Sequence, residues 1–233
     1  NNLFFSGKFY FFLLGLSLIV GFFLNEDASS GGAAADFYNT WGYNLALKEN
    51  LFVDSFQWTD HFPLHHILIS RLHYLINDQY YIRLFFCIVS ISVPLLFYLN
   101  LKIKFNEINE NLLWLLASAI FLLPSFRYSA IWANDHITAF IFILLSTFFF
   151  LKWDKKKDYN LDYNIILQVL FLALAVYCRQ YYALLFFYFM ILYLQKLKFL
   201  KFIILSFIVL LLSLPGFWIV FNQKTLITLF STN

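Results

Sequence analysis

Long stretches of this chain are hydrocarbon, and its charges fall mostly between those stretches. Near-unbroken apolar runs occupy residues 8–24, 81–101, 133–151, 165–194 and 202–221. About 20 apolar residues in a helix cross the hydrocarbon core of a bilayer, whereas the strands of a membrane barrel alternate apolar and polar at every second position. Unbroken runs therefore dictate helices. Only 12% of the 233 residues are charged and 62% are hydrophobic, against about a quarter charged in soluble domains. There is too little charge to cover a water-facing surface, so the expected fold is an all-α membrane protein, a multi-span helical bundle embedded in a lipid bilayer. The formal charge of +3 is too small to imply a nucleic-acid partner. Cys87 and Cys178 both lie within apolar runs, which excludes a disulfide framework.

Lysine positions set the expected topology. Lys102 and Lys104, the cluster Lys152, Lys155, Lys156 and Lys157, and then Lys196, Lys198 and Lys201 each follow an apolar run. By the positive-inside rule these mark the cytoplasmic side. Residues 25–62 carry six acidic residues (Glu26, Asp27, Asp36, Glu49, Asp54 and Asp60) and only one lysine, Lys48, which places this long first loop outside. Residues 8–24 read as an uncleaved anchor, because Asn25-Glu26-Asp27 makes a poor signal-peptidase site. Residues 63–76 are too short for a span and are broken by His65, His66, Arg71 and His73, so a re-entrant helix is expected there. The remaining runs give about seven crossings, with 112–123 turning at Pro124 and 165–194 splitting at Cys178-Arg179-Gln180. No repeat or linker divides residues 1–233, which read as one domain and as one part of a longer architecture if the chain continues.

Polar groups that can do chemistry are concentrated on the outer side. Ser29-Ser30-Gly31-Gly32 leads into Ala33-Ala34-Ala35-Asp36, after which Phe37, Trp41 and Leu45 repeat at helical spacing. That pattern predicts one short helix lying on the membrane face with Asp36 capping its start, Asn39, Thr40 and Tyr43 on its polar side, and Trp41 in the interface. The topology adds Asp27, Asp60, His61, His65, Arg127, Asp135, His136 and Arg179 to the same face. Ionisable groups at membrane depth cost at least about 2.5 kcal/mol at a helix centre, so they mark cavities and function. A carboxylate next to a cationic pocket there suits the activation of a hydroxyl while arginine holds the phosphate of a lipid-linked donor. Arg179 stands in mid-run, where it either binds such a phosphate or pairs with Asp135 or Asp36. Arg71 and Arg83 either snorkel to head groups, the favoured reading, or contact substrate. His61 and His65, four apart and beside Asp60, invite a metal, but Pro63 between them breaks the register, so no metal site is assigned.

The order of these features resembles the integral-membrane glycosyltransferases of the GT-C fold, which take a sugar from a polyprenyl-phosphate carrier. The elements that carry the resemblance are Ala35-Asp36-Phe37-Tyr38-Asn39-Thr40-Trp41, then His61-Phe62-Pro63-Leu64-His65-His66, Arg83-Leu84, the outer turn from Pro124 to Asp135, and Cys178-Arg179-Gln180-Tyr181. The last is similar to a motif of the dolichyl-phosphate-glucose transferases. The resemblance covers residues 8–194. It implies inverting transfer at the extracytoplasmic or lumenal face, with Asp36 or Asp27 as catalytic base and Arg179, Gln180, Asp135, His61, His65, Arg127 and Trp41 contacting substrate. The implied partners are a polyprenyl-phosphate-sugar donor and a glycan, lipid or protein acceptor. No cofactor is assigned; either Arg179 or a divalent cation would aid the leaving phosphate. A bacterial plasma membrane is the expected location, with the endoplasmic reticulum as the alternative. Phe37 stands where many relatives have a second acidic residue, which leaves the choice between Asp36 and Asp27 open. The rival classes are a transporter or flippase component and a non-catalytic subunit of a lipid-linked glycan pathway.

Overall fold

The computed structural model describes residues 6–50 and 62–222, and these are helical, with no strand among them. The helices are α1 (Gly7–Phe23), α2 (Gly32–Asn39), α3 (Trp41–Glu49), α4 (Leu64–Leu75), α5 (Gln79–Ser90), α6 (Ser92–Lys104), α7 (Glu110–Ser118), α8 (Pro124–Ile131), α9 (Asp135–Lys156), α10 (Tyr163–Cys178), α11 (Leu184–Lys196) and α12 (Phe199–Asn222).

Three of these units are long and apolar enough to cross a bilayer: α5 with α6 as one 26-residue stretch, α9, and α12. A fourth qualifies if α7 and α8, bent by 66° at Pro124, count as one broken span. α1 and α10 are shorter apolar helices. The bend follows from covalent geometry, because a proline disfavours helical φ/ψ in the residue before it and is itself well placed at a first helical position. Leu123 is accordingly extended and Pro124 opens α8.

α9 is the axis of the bundle, packed against α10 on one side and α6 on the other, while α1 lies along α7. Where helices are surrounded by lipid, hydrogen bonds between them fix their rotation. Asn100 donates to the Leu144 carbonyl at 3.0 Å, tying α6 to α9. Gln168 donates to Ser146 Oγ at 3.1 Å and accepts from the Tyr193 hydroxyl at 2.7 Å, joining α9, α10 and α11. The lysine-rich helix ends gather together: Lys102 and Lys8 approach Glu110, Lys196 pairs with Asp154, and Lys156 pairs with Asp162. At the opposite end, Leu18, Phe22, Phe37, Ile69, Phe86, Trp132 and Ile137 form one core under the loop helices.

α1 is held against α8 by a close approach at Gly21. A Cβ there would collide with the Glu26 carboxylate and lie 2.8 Å from the Arg127 guanidinium, whereas at Gly15 the nearest atom would be 3.5 Å away. Gly21→Ala should destabilise the protein by about 1–3 kcal/mol, the usual cost of overpacking. Gly15→Ala should leave it unchanged. Thermal unfolding of the two variants in one detergent measures the difference.

Candidate functional site

The connection from α8 to α9, residues 132–134, is the meeting point of the polar residues. Ala133 takes a left-handed conformation at φ +51°, which costs an L-residue about 1–2 kcal/mol and turns the chain sharply enough to present successive residues in different directions. Trp132 donates from Nε1 to the Glu26 carbonyl at 3.1 Å, and its ring carries the Arg83 guanidinium 3.6 Å from its centroid. Arg83 Nε also donates to the Ile131 carbonyl at 3.2 Å. The expectation that Arg83 snorkels is therefore overturned: it is only 4% exposed and stacked inside the fold.

Around that turn lie two further arginines, each with its own carboxylate. Arg127 forms a bidentate pair with Glu26 (2.6 and 2.5 Å) and donates to Ser17 Oγ and to the Ser17 and Phe121 carbonyls. Its donors are thus directed into the protein, where they brace α1 against α8. Arg179 lies at the break between α10 and α11, where its Nη2 donates to Asp135 Oδ1 at 2.5 Å; the two side chains are 14% and 7% exposed. Its Nε is buried and finds no partner among the described residues. Of the two alternatives for Arg179, the ion pair with Asp135 is formed, and it leaves part of the guanidinium fork unused.

His65 lies beside this pair, buried, with Nδ1 at 2.8 Å from Thr138 Oγ1 and Nε2 at 2.8 Å from the Ala133 carbonyl. Both nitrogens are occupied, which suits a strut between α4 and α9 better than a metal ligand. Its sequence partners His61 and Asp60 lie outside the described residues. No cluster able to hold a metal occurs among the described residues. His136, next to Asp135, has its Nδ1 3.2 Å from the Tyr181 hydroxyl, and Gln180 opens the short 3₁₀ turn that carries Tyr181.

The loop helices correct the sequence reading in several ways. α2 starts at Gly32, so Asp36 sits in its second turn and is not its cap. Gly31, at φ +90° with nothing near its missing Cβ, is there for its backbone conformation and not for a close approach. Capping falls to Asp27 and Ser29: Asp27 accepts from the backbone N–H groups of Ser29 and Ala34, both at 2.9 Å, and Ser29 Oγ accepts from Ala33 N–H at 2.7 Å. Asp36 is exposed and its carboxylate makes no hydrogen bond or ion pair among the described residues. The predicted single helix is two, divided at Thr40. Tyr43 is fully buried against His66, not on a polar side, and Trp41 packs between Phe37 and His73. α2 reaches the central turn through Tyr38, whose ring lies 5.9 Å from that of Trp132.

A cavity of about 390 Å³ lies between α10, α11 and α12, closed on one side by Phe62, and Arg179 is not among the residues that line it. Its lining is almost wholly apolar and includes Tyr177 and Ala183, which flank Arg179 in sequence. The Tyr177 hydroxyl donates to the Leu212 carbonyl and accepts from Gly216 N–H, two groups that an uninterrupted helix would join directly. It thereby bridges the backbone next to Pro215 and pins α12 to the groove. Sequence reasoning missed this cavity, because nothing in an apolar run tells which faces leave a gap. No family model, curated protein or solved structure matches the chain.

Glu26 and Asp27 are both held below the ordinary carboxylate range. For Glu26 the main cause is the hydrogen bond from Arg127, and burial opposes it. For Asp27 burial pushes upward, but the bonds from Ser29, Ala34 and Ala33 together outweigh it. A carboxylate lowered on folding stabilises the native state above its unfolded pKa, here near 4.5 and 3.8, and that contribution is lost as pH falls through the folded values. The melting temperature should therefore decline below pH 4.5. Glu26→Gln should start lower at neutral pH and show a shallower acid decline, and an acid slope equal to wild type would remove Glu26 from the linkage.

Proposed function

We propose that this protein is a membrane glycosyltransferase that moves a sugar from a polyprenyl-phosphate donor to an acceptor at the non-cytoplasmic face, in a bundle of about seven crossings with α4 dipping into the bilayer. The observation that carries the reading is Arg179: a cation oriented by Asp135, with an Nε that has no partner among the described residues, two positions from Tyr177 of an apolar groove. A lipid phosphate needs that combination, because its chain requires hydrocarbon and its head requires a charged fork. The GT-C resemblance supplies the reaction class, and a bacterial plasma membrane is the proposed setting.

In this reading the acceptor oxygen forms a bond to the anomeric carbon as the bond from that carbon to the phosphate oxygen breaks. The bonding electrons leave with the phosphate, whose charge Arg179 meets. The hydroxyl proton passes to a carboxylate. Asp36 is the better placed of the two candidates, since Asp27 is committed to capping α2 whereas Asp36 is exposed and unengaged on a helix that leans on the central turn. No general acid is needed, because a phosphate leaves readily as the anion.

Arg179→Lys keeps the charge but loses the fork, and should raise the KM for donor about tenfold or more, the loss expected for a charge-assisted hydrogen bond. Asp36→Asn should leave folding intact and lower transfer by about two orders of magnitude. Asp27→Asn should lower thermal stability by about 1 kcal/mol, as expected for a weakened cap, while sparing turnover. Transfer of labelled sugar from polyprenyl-phosphate donors by purified variants measures all three. Full transfer by Asp36→Asn with loss in Asp27→Asn would move the base to Asp27. Donor binding that depends on Arg179, with no transfer to any acceptor, would point instead to a carrier component of a lipid-linked pathway.

A further inference from the structure

We propose that a second cavity, between α8 and the first turns of α9, binds one neutral saccharide ring. It measures about 210 Å³ and is lined by Ser125, Tyr128, Ser129 and His136 together with apolar residues that include Phe126 and Ile137. Among the described residues, none of the hydroxyls of Ser125, Tyr128 and Ser129 finds a hydrogen-bond partner. Ser70, Ser90, Ser118, Ser206 and Ser213, also on helices, each bond back to a carbonyl of the preceding turn, the ordinary way a helix satisfies a hydroxyl. Three residues whose hydroxyls are unengaged thus line one cavity and offer it donors and acceptors.

The chemistry of the lining narrows the ligand. Among the described residues no carboxylate, lysine or arginine lines the cavity, so neither a phosphate nor an amine would be neutralised by them there. Hydroxyls set among aromatic and aliphatic walls match a ring with hydroxyl edges and C–H faces. The volume falls below the roughly 300–1,000 Å³ of drug-sized sites, room for a single ring. His136 connects the cavity to the ion pair: it lines the cavity, its Nδ1 is 3.2 Å from the Tyr181 hydroxyl, and the Tyr181 ring centroid is 6.0 Å from the Arg179 guanidinium. A ring in the cavity would thus lie one layer of side chains from a phosphate at Arg179. The assignment rests on the transferase reading, and the ring belongs either to the donor or to the acceptor.

The test uses the full chain with Leu123→Cys, a half-exposed position on the rim; the native Cys87 and Cys178 are fully buried and stay unlabelled. A water-soluble maleimide is added with or without methyl glycosides of neutral hexoses and pentoses, with a short-chain prenyl phosphate, or with that phosphate carrying a sugar. At least one glycoside should slow labelling, and adding Tyr128→Phe, which removes only the hydroxyl, should weaken that protection about five- to tenfold, as expected for one lost hydrogen bond. Protection by sugar-bearing phosphate at lower concentration than by free glycoside assigns the ring to the donor, and equal protection assigns it to the acceptor. If no glycoside or glycosylated phosphate slows labelling, or if Tyr128→Phe leaves protection unchanged, the saccharide assignment is wrong. The transferase reading is tested separately, by whether wild type but not Asp36→Asn transfers labelled sugar from a polyprenyl-phosphate donor.

Discussion

A charge in hydrocarbon has to be met from within the protein, and here three arginines are met around one turn. Arg83 lies across Trp132 and bonds to the carbonyl of Ile131. Arg127 grips Glu26, whose own carbonyl receives the Trp132 N–H. Arg179 reaches Asp135 at the start of α9. Each contact ties a different helix to the same few residues, so α1, α5, α8, α9 and the end of α10 share one fixed reference. Removing one partner of such a pair would leave a buried charge without compensation, which is far costlier than the pair's net contribution.

That arrangement explains how a chain with so few polar residues can still build a site. The long helices contribute mainly burial and a few interhelical hydrogen bonds, such as that of Gln168 with Ser146 and Tyr193. The rotation these bonds impose on α10 determines where its last residue projects, and thereby where Arg179 points. The apolar groove exists because α12 meets α10 through the Tyr177 hydroxyl at a proline-interrupted stretch, leaving the space toward α11 unfilled. Site and scaffold are one set of contacts.

Much of the helical layout was legible in the sequence, because hydropathy and lysine placement report directly on what lipid tolerates. The break at Arg179 and the turn at Pro124 were legible for the same reason, one as a charge within an apolar run and the other as a proline. The pairing of charges was not. Nothing local says that Glu26 meets Arg127 or that Arg83 stacks on Trp132, since those contacts depend on how distant helices rotate. The start of α2 was misplaced because the alanine run drew attention to Asp36, although Asp27, Ser29 and Gly31 already formed a capping sequence upstream. The number of crossings is the least legible feature: α1 with 17 residues and α10 with 16 fall near the length at which hydropathy ceases to separate a span from a buried helix.

The Glu26–Arg127 pair also places an order on biogenesis. The two residues are 101 positions apart, so at a synthesis rate of about 5–20 residues per second the carboxylate waits about 5–20 s for its guanidinium. During that interval Glu26 lacks the partner that it has in the folded protein. The closing contact of α1 with α8 at Gly21 therefore forms only after the middle of the chain has left the ribosome. The first helix to be made is among the last to be locked.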